Sequence, residues 1–176
     1  MIRPATPDDA AAIAGIYGPY CEQTTVSFEA VAPSVDEMAT RIRKALTAWA
    51  WVVDDVDGAI AGYAYASRHR ERAAYRWAVD TAVYVDRRFM RRGIGRALYL
   101  DLFDRLQARG YYRACAGIAL PNDASLRLHE AVGFTPVGVY RNIGYKQGAW
   151  RDVAWYQRDL QPPDASSRPP AEPVLS

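Results

Sequence analysis

The chain has 176 residues, of which 50% are hydrophobic and 24% are charged, and its formal net charge is +2 at pH 7. This composition is typical of one globular domain with a buried core. The small net charge disfavours a nucleic-acid-binding protein, and no apolar run approaches the roughly 18 residues of a membrane-spanning helix. Met1 begins no recognisable signal peptide, so we expect a soluble, cytoplasmic protein. Cys21 and Cys115 fit no disulfide framework or metal-ligand spacing, so we expect free thiols and no metal.

The first half of the chain contains elements that capping and turn residues delimit. Thr6 and Pro7 are typical of a helix start, Ser34 with Glu37 forms a capping box, and Asp57-Gly58 indicates a hairpin turn. The predicted elements are, in order, a strand at 2–5, a helix from Thr6 to about Tyr20, an extended segment at 24–28, a helix at 34–46, and strands at 49–54 and 59–67.

The second half alternates strands and helices around a basic loop. A polar interval at 68–74 leads into the predicted elements, which are a strand at 75–85, a helix from Ile94 to Gly110, a strand at 113–120, a helix from Asn122 to Gly133, and strands at 135–140 and 149–157 joined by the 144–148 region. The last residues are rich in Pro, Ser and Ala. We therefore expect a domain at 1–160 and a Pro-rich, disordered tail at 161–176.

The element order predicts the fold class. Read as β-α-α-β-β-β-α-β-α-β-β, it indicates an α/β (α+β) protein with a single mixed, twisted central sheet flanked by helices. We expect antiparallel neighbours in the first part of the sheet and a parallel pair around the basic loop.

The stretch from Val83 to Leu98 predicts an anion site. An apolar run ends at Asp86, a loop rich in arginine follows, and an apolar stripe with helical spacing then begins at Ile94. Free backbone N–H groups and the positive end of the helix dipole would face a phosphate there. The members of this loop that we expect to bind it are Arg91, Arg92, Gly93, Ile94, Gly95 and Arg96.

This pattern could be one of three phosphate loops or a basic helix cap with no ligand, and for an isolated G-x-G the cap is the better interpretation. A Walker A loop requires Gly-Lys-Ser or Gly-Lys-Thr, which the chain lacks, and a dinucleotide loop requires a third glycine where Leu98 stands. The third possibility is a resemblance, because Arg-Arg-Gly-Ile-Gly-Arg-Ala-Leu after an apolar strand resembles the pyrophosphate loop of the GNAT N-acetyltransferases, which bind acetyl-CoA. That family usually has Gln or Arg where this chain has Met90, so the backbone is expected to bind the pyrophosphate and the Met90 side chain to contribute little.

Two titratable residues are candidates for acid–base chemistry. Asp80 lies within an apolar strand, where it is either a general base or a structural acid, which would lie at an exposed edge or pair with an arginine such as Arg76. His129 shares a helical stripe with Asn122 and Ser125, so it either faces a ligand or is a structural histidine near the helix end. His69 is expected to face solvent. The residues alone leave these alternatives open.

Further runs resemble one subfamily, the phosphinothricin and methionine sulfoximine N-acetyltransferases. They include Thr24–Phe28, Ala74–Trp77, Leu120–Ser125, Leu128–Ala131 and Gly144–Val153, and the resemblance covers roughly residues 2 to 160. It implies acetyl-CoA as co-substrate, direct transfer without an acyl-enzyme, and a homodimer. It also implies resistance to the herbicide phosphinothricin.

The same resemblance implies the roles of the site residues. Val83, Tyr84 and Val85 would pair with the pantetheine arm, Asn122 and Ser125 would contact that arm, and Phe28, Arg72 and Tyr75 would hold the amino acid. Asp80 would be the base, with one methylene fewer than the glutamate typical of the subfamily, and His129 would assist the departing thiolate. The alternatives are an acetyltransferase for another amine, such as a protein N-terminus or a polyamine, and a non-catalytic acetyl-CoA-binding module.

Overall fold

A computed structural model describes residues 1–162 and 170–174. Its strands are β1 (Ile2–Pro4), β2 (Trp51–Val56), β3 (Ala59–Arg68), β4 (Ala78–Val85), β5 (Arg113–Ala119), β6 (Thr135–Lys146) and β7 (Ala149–Asp159). Its α-helices are α1 (Ala10–Gln23), α2 (Val35–Leu46), α3 (Ile94–Ala108) and α4 (Asp123–Ala131). Short 3₁₀ turns occur at Pro7–Asp9, Ala73–Tyr75 and Arg87–Phe89.

The strands form one mixed sheet in the order β1-β2-β3-β4-β5-β7-β6. Every neighbouring pair is antiparallel except β4 and β5, which are parallel. The helix α3 connects these two strands, as a parallel crossover requires. The predicted fold class is therefore confirmed.

Each face of the sheet has its own hydrophobic core. On one face, α1 and α2 pack around buried residues such as Ile13, Ile42 and Tyr63. On the other face, α3 packs through Leu98 and Leu102. Because successive side chains in a strand point to opposite faces, β4 presents alternate residues to the two cores. Its residues Val79 and Val83 face α3, whereas Tyr84 faces α1 and α2, and Asp80 shares the Tyr84 side of the strand.

Two predicted strand boundaries were wrong. The strand β4 begins at Ala78 because Ala73–Tyr75 forms a 3₁₀ turn, in which the Arg76 side chain donates to the Ala73 carbonyl at 2.9 Å. The strand β6 does not end at Tyr140 but continues to Lys146. The connection to β7 is therefore a two-residue turn at Gln147 and Gly148, which adopt φ values of 52° and 75°.

The end of the chain contacts the domain at a few described residues. The Trp77 Nε1–H donates to the Ala171 carbonyl at 2.9 Å, and the Val174 N–H donates to the Arg109 carbonyl at 2.9 Å. Most of the predicted disordered tail, at 163–169 and 175–176, lies outside the described residues. The boundary at residue 160 stays a prediction.

Candidate active site

The parallel strands β4 and β5 separate at the centre of the sheet. Their pairing runs from Ala78 with Arg113 to Asp80 with Cys115 and, among the described residues, goes no further. The other edge of β4 stays paired with β3 up to Val85. The edge of β4 from Thr81 to Val85 therefore leaves backbone groups available to an extended ligand that would lie beside the strand.

Two cavities meet at this opening. A cleft of about 720 Å³ lies on the side of Asp80, and a cavity of about 50 Å³ lies on the side of α4. Residues of the opening line both of them, namely Val26, Thr81, Ala82, Tyr84, Gly117 and Ala119. A group held in the opening is thus within reach of side chains on both faces of the sheet.

Asp80 and Phe28 line the larger cleft, together with Tyr140 and Trp155. The Asp80 side chain is 30% exposed. Burial raises the pKa of its carboxyl above the ordinary value of 3.8, and the hydrogen bond with His69 opposes that rise. A carboxylate with a raised pKa beside a cleft has the properties of a general base.

His69 does not face solvent, so that prediction was wrong. Its side chain is only 14% exposed, and its Nδ1 lies 2.6 Å from Oδ1 of Asp80. The chain turns back directly after β3, where Ser67 is the register partner of Asp80. This short return places His69 beside the carboxylate. The alternative pairing of Asp80 with Arg76 is also excluded, because Arg76 pairs with Glu172.

His129 is buried on the other side of the opening. Its Nδ1 lies 2.7 Å from the Ser125 carbonyl, which can only accept a hydrogen bond, so Nδ1 carries the proton. Its Nε2 then accepts from the Tyr99 hydroxyl at 2.9 Å. Burial lowers the pKa of His129 below 6.5, so the ring is neutral at neutral pH. Tyr99 is completely buried, and burial raises the pKa of its phenol.

The start of α4 contributes polar groups to the smaller cavity. The Asn122 side-chain oxygen accepts from the Ser125 N–H at 3.2 Å and so caps the helix. Asn122 and Ser125 line the cavity with Val83, Tyr84 and His129. The cavity therefore contains the predicted pantetheine contacts other than Val85, together with the histidine predicted to assist the thiolate.

The end of β4 combines free and occupied backbone groups. The Val85 carbonyl accepts from the Tyr20 hydroxyl at 2.7 Å. The Tyr84 ring is held between Tyr17 and Tyr63, at centroid distances of 4.9 and 5.4 Å. These contacts fix the strand from the side of α1 and occupy the Val85 carbonyl, whereas Val83 has, among the described residues, no strand partner on the β5 side.

The basic loop has the geometry of an anion site. Asp86 accepts from the Arg88 N–H and pairs with its guanidinium, both within 2.8 Å, which closes the turn before the loop. Gly93 then caps α3 with a φ of 79°. Gly95 is buried, and a Cβ at this position would lie 3.1 Å from Leu128, so the small residue lets α3 approach α4.

The charged side chains of the loop are exposed, as phosphate contacts require. Arg91, Arg92 and Arg96 are exposed, and none of them has a salt-bridge partner within residues 1–162 and 170–174. Arg91 itself adopts a left-handed φ of 62°. The Met90 side chain is 43% exposed.

The residues predicted to bind the amino acid lie in two different cavities. Phe28 lines the cleft that contains Asp80, whereas Arg72 and Tyr75 line a separate pocket of about 260 Å³ with Arg68 and other arginines. The Tyr75 ring makes an edge contact with His69, the partner of Asp80, at a centroid distance of 5.7 Å. The described structure does not bring Arg72 into the same cavity as Asp80.

Lys146 anchors the segment that carries Phe28. Its ammonium group donates to the carbonyl oxygens of Cys21, Ser27 and Glu29 at 2.5–2.7 Å. Lys146 is the last residue of β6, so the far hairpin of the sheet fixes one wall of the cleft.

The sequence interpretation missed residues on both sides of the opening, namely His69, Tyr99 and Trp155. His69 could have been found from the β3–β4 hairpin, since the register brings the end of β3 opposite Asp80. Tyr99 lies four residues from Gly95 and gave no signal beyond that of a core position on α3. Trp155 reaches the cleft because β7 pairs with β5 and places Trp155 opposite Gly117, a pairing that sequence spacing does not reveal.

Comparison with known proteins identifies the family. A sequence model of the Acetyltransferase (GNAT) domain matches residues 2–155. A phosphinothricin N-acetyltransferase of Streptomyces viridochromogenes is 42% identical over 168 residues, which cover 96% of this chain and 91% of that protein. An L-methionine sulfoximine/L-methionine sulfone acetyltransferase of Salmonella typhimurium is 32% identical and covers 90% of this chain and 94% of its own length.

A solved structure agrees over nearly the whole chain. The crystal structure of a GNAT superfamily phosphinothricin acetyltransferase from Sinorhizobium meliloti in complex with AcCoA superposes with a TM-score of 0.91 at 34% identity, covering 98% of this chain and 93% of that one. The present chain therefore belongs to the GNAT acetyltransferase family. It is an N-acetyltransferase, and the family and enzyme class predicted from the sequence are confirmed. No helix in the described part of the chain is long and apolar enough to span a membrane.

Proposed function

We propose that this enzyme transfers the acetyl group of acetyl-CoA to the α-amine of a small L-amino acid or an amino-acid analogue such as phosphinothricin or methionine sulfoximine. One observation carries the proposal: the opening between β4 and β5 has Asp80 on one face of the sheet and the Tyr99–His129 pair on the other. The relatives named above support the class of acceptor. A cytoplasmic location and resistance to phosphinothricin belong to the same proposal.

The residues of this chain fit acetyl-CoA. The unpaired edge of β4 at Val83, Tyr84 and Val85 offers backbone groups to an amide-containing arm. The N-terminus of α3, with Gly93, Ile94 and Gly95 and the exposed Arg91, Arg92 and Arg96, suits a pyrophosphate. When bound, acetyl-CoA supplies an activated acetyl thioester. Asn122 and Ser125 would contact its arm beside the opening.

Asp80 is the proposed base on the amine side. An amino acid enters as an ammonium ion, which must lose a proton before its nitrogen can attack. The carboxylate of Asp80 lines the cleft and accepts that proton, directly or through a water molecule. Phe28 would pack against the substrate in the cleft. Arg72 and Tyr75 would bind the acidic end of the substrate from the neighbouring pocket, because a guanidinium pairs well with a carboxylate or a phosphinate.

His129 acts through Tyr99 in this proposal. Because the His129 Nδ1–H is held by the Ser125 carbonyl and Nε2 is an acceptor, the neutral ring has no free proton to give. Tyr99 also lines the smaller cavity, and in the resting protein its hydroxyl donates its one proton to Nε2. In this proposal His129 orients the phenol. When the thiolate departs, the Tyr99 O–H turns from Nε2 toward the sulfur and donates a hydrogen bond to it, and the thiolate then takes its proton from solvent.

The test is release of free thiol from acetyl-CoA across a panel of L-amino acids with phosphinothricin and methionine sulfoximine. We expect saturable acceleration with at least one α-amino acid and none with its N-acetylated form. Acceleration only by a polyamine or a peptide N-terminus would contradict the proposed substrate class. Binding of acetyl-CoA without thiol release on any amine would establish a non-catalytic module instead.

We also propose that the protein is a homodimer through the β6–β7 hairpin. The strand β6 is an edge strand that is exposed along most of its length. The hairpin carries large exposed apolar side chains, namely Val137, Val139, Tyr140, Ile143, Tyr145 and Trp150. An exposed apolar edge strand favours association with a second copy.

Sedimentation equilibrium tests the dimer. We expect twice the monomer mass for the wild-type protein and a monomer for Ile143→Lys. The matched control is Val31→Lys, because Val31 is 75% exposed but lies outside the hairpin. A wild-type monomer at micromolar concentration would contradict the proposal.

A further inference from the structure

The contact between His69 and Asp80 joins a loop to a strand inside the active site. His69 Nδ1 lies 2.6 Å from Asp80 Oδ1, and His69 is the one side chain of the described residues that hydrogen-bonds to this carboxylate. The other oxygen, Oδ2, has no partner among the same residues. The histidine is more deeply buried than its partner, at 14% against 30% side-chain exposure. This is the geometry of an oriented pair and not of a solvated surface contact.

Aromatic neighbours hold the His69 ring in place. The ring makes edge contacts with Tyr75 and Trp155, at centroid distances of 5.7 and 6.3 Å. The guanidinium of Arg70 lies over the Trp155 ring, 5.5 Å from its centroid. The position of His69 is therefore set by packing from the loop and from β7, before any substrate binds.

Among the groups around Asp80, His69 is the one that lowers the pKa of the carboxyl most. Arg70 approaches from the loop, and its positive charge also lowers the pKa of the Asp80 carboxyl. From β5, Cys115 faces Asp80, and burial raises the pKa of its thiol to about 11, so it is neutral at neutral pH. From β3, Tyr65 is neutral for the same reason, with a pKa of about 12.

The desolvated carboxylate needs a donor to remain ionised. Burial alone favours the protonated form of Asp80, which cannot accept a proton from an ammonium ion. An Nδ1–H of His69 that donates to Oδ1 stabilises the ionised form instead. It also fixes the rotation of the carboxylate and so determines where Oδ2 points.

We propose that His69 is a positioning residue for the transfer reaction, which holds Asp80 ionised through Oδ1 and leaves Oδ2 to accept the proton of the substrate ammonium. In this step the ammonium N–H bond breaks, its electron pair stays on nitrogen for the attack, and an O–H bond forms at Asp80. The proton later leaves Asp80 for solvent. The inference rests on the proposed function.

Two substitutions at one position test this role. His69→Phe keeps a planar ring between Tyr75 and Trp155 but removes the donor. His69→Asn places an amide N–H near the position of Nδ1. For His69→Phe we expect kcat to fall by roughly tenfold or more through loss of orientation, an acid limb of the pH profile that moves to higher pH, and an unchanged KM for acetyl-CoA. His69→Asn should recover most of both effects.

A measurement on the protein alone separates this inference from the proposed function. The carboxyl ¹³C titration of Asp80 should move to higher pH in His69→Phe and return toward the wild-type position in His69→Asn, with no substrate present. If no amine is acetylated, the proposed function fails. The Asp80 titration still shows whether His69 controls the ionisation of this carboxyl. An unchanged Asp80 titration in His69→Phe, or an equal loss of activity in both variants with unaltered pH profiles, would overturn the proposal.

Discussion

The Phe28 ring lies directly against the backbone of Gly144, where an added Cβ would stand 2.3 Å from Cε2 of the ring. Phe28 belongs to the loop after α1, and Gly144 belongs to β6, so a wall of the cleft depends on the absence of a side chain in a distant hairpin. The Lys146 ammonium holds the same loop two residues further along the strand.

Gly144→Ala should therefore weaken binding of the amine. The methyl group forces the Phe28 ring to move, and since that ring is 43% exposed, it can swing outward at little cost to folding. We expect KM for the amine to rise several-fold, with KM for acetyl-CoA and the melting temperature nearly unchanged. Steady-state kinetics with each substrate varied in turn measure the difference. The control is Gly138→Ala in the same strand, because a Cβ at Gly138 has nothing within 4 Å. Equal effects at both glycines would contradict the explanation.

Asp80→Asn should remove the base while keeping the volume of the side chain. The loss of general-base catalysis is expected to lower kcat by about 100- to 10,000-fold. In the wild-type enzyme a low pH protonates Asp80, so kcat/KM should rise with pH through a pKa above the ordinary 3.8. The variant should lose this acid limb. Turnover and a pH profile equal to those of the wild type would exclude Asp80 from the mechanism.

The sequence predicted the sheet and the geometry of the basic loop better than the amine side of the site. The loop is local, since Gly93, Gly95 and the arginines are neighbours in the chain and act through the start of one helix. The contact of His69 with Asp80 depends on the β3–β4 register, and that of Phe28 with Gly144 depends on a hairpin far along the chain. The first contact can be found only by setting the β3–β4 register, and the second gives no signal in spacing or composition. Tyr99 likewise looked like any core residue of α3, because the hydrogen bond of its hydroxyl with His129 depends on how α3 and α4 pack in the folded protein.

His129 should make the folded protein sensitive to mild acid. Its folded-state pKa lies below the ordinary 6.5, so at lower pH the unfolded chain binds a proton that the folded chain resists. The free energy of unfolding should therefore fall as pH decreases through about 6.5 toward the folded-state pKa. His129→Phe should lose this part of the slope, and it should also be less stable at pH 8 by about 1–3 kcal/mol, because the Ser125 carbonyl and the Tyr99 hydroxyl lose their partner.

Denaturant unfolding at pH 8 and pH 5.5 gives the slope for each protein. Tyr99→Phe is the matched control, because it removes the hydrogen bond to Nε2 but retains the titrating ring. It should keep the acid-dependent slope of the wild type. A His129→Phe protein with the same pH dependence as the wild type would show that His129 is not the group responsible.

The exposed arginines of the loop should affect binding of acetyl-CoA and not the chemical step. Arg92→Ala and Arg96→Ala each remove a charge from the proposed pyrophosphate site. We expect KM for acetyl-CoA to rise roughly three- to tenfold with kcat unchanged, because the contact is equally strong in the bound complex and in the transition state. Because exposed charges are screened by salt, this KM should increase with ionic strength in the wild type and less so in either variant. Arg88→Ala is the control, since Arg88 lies in the preceding turn and pairs with Asp86 at 2.7 Å. A fall in kcat at constant KM for acetyl-CoA in Arg92→Ala or Arg96→Ala would place these residues outside the proposed site.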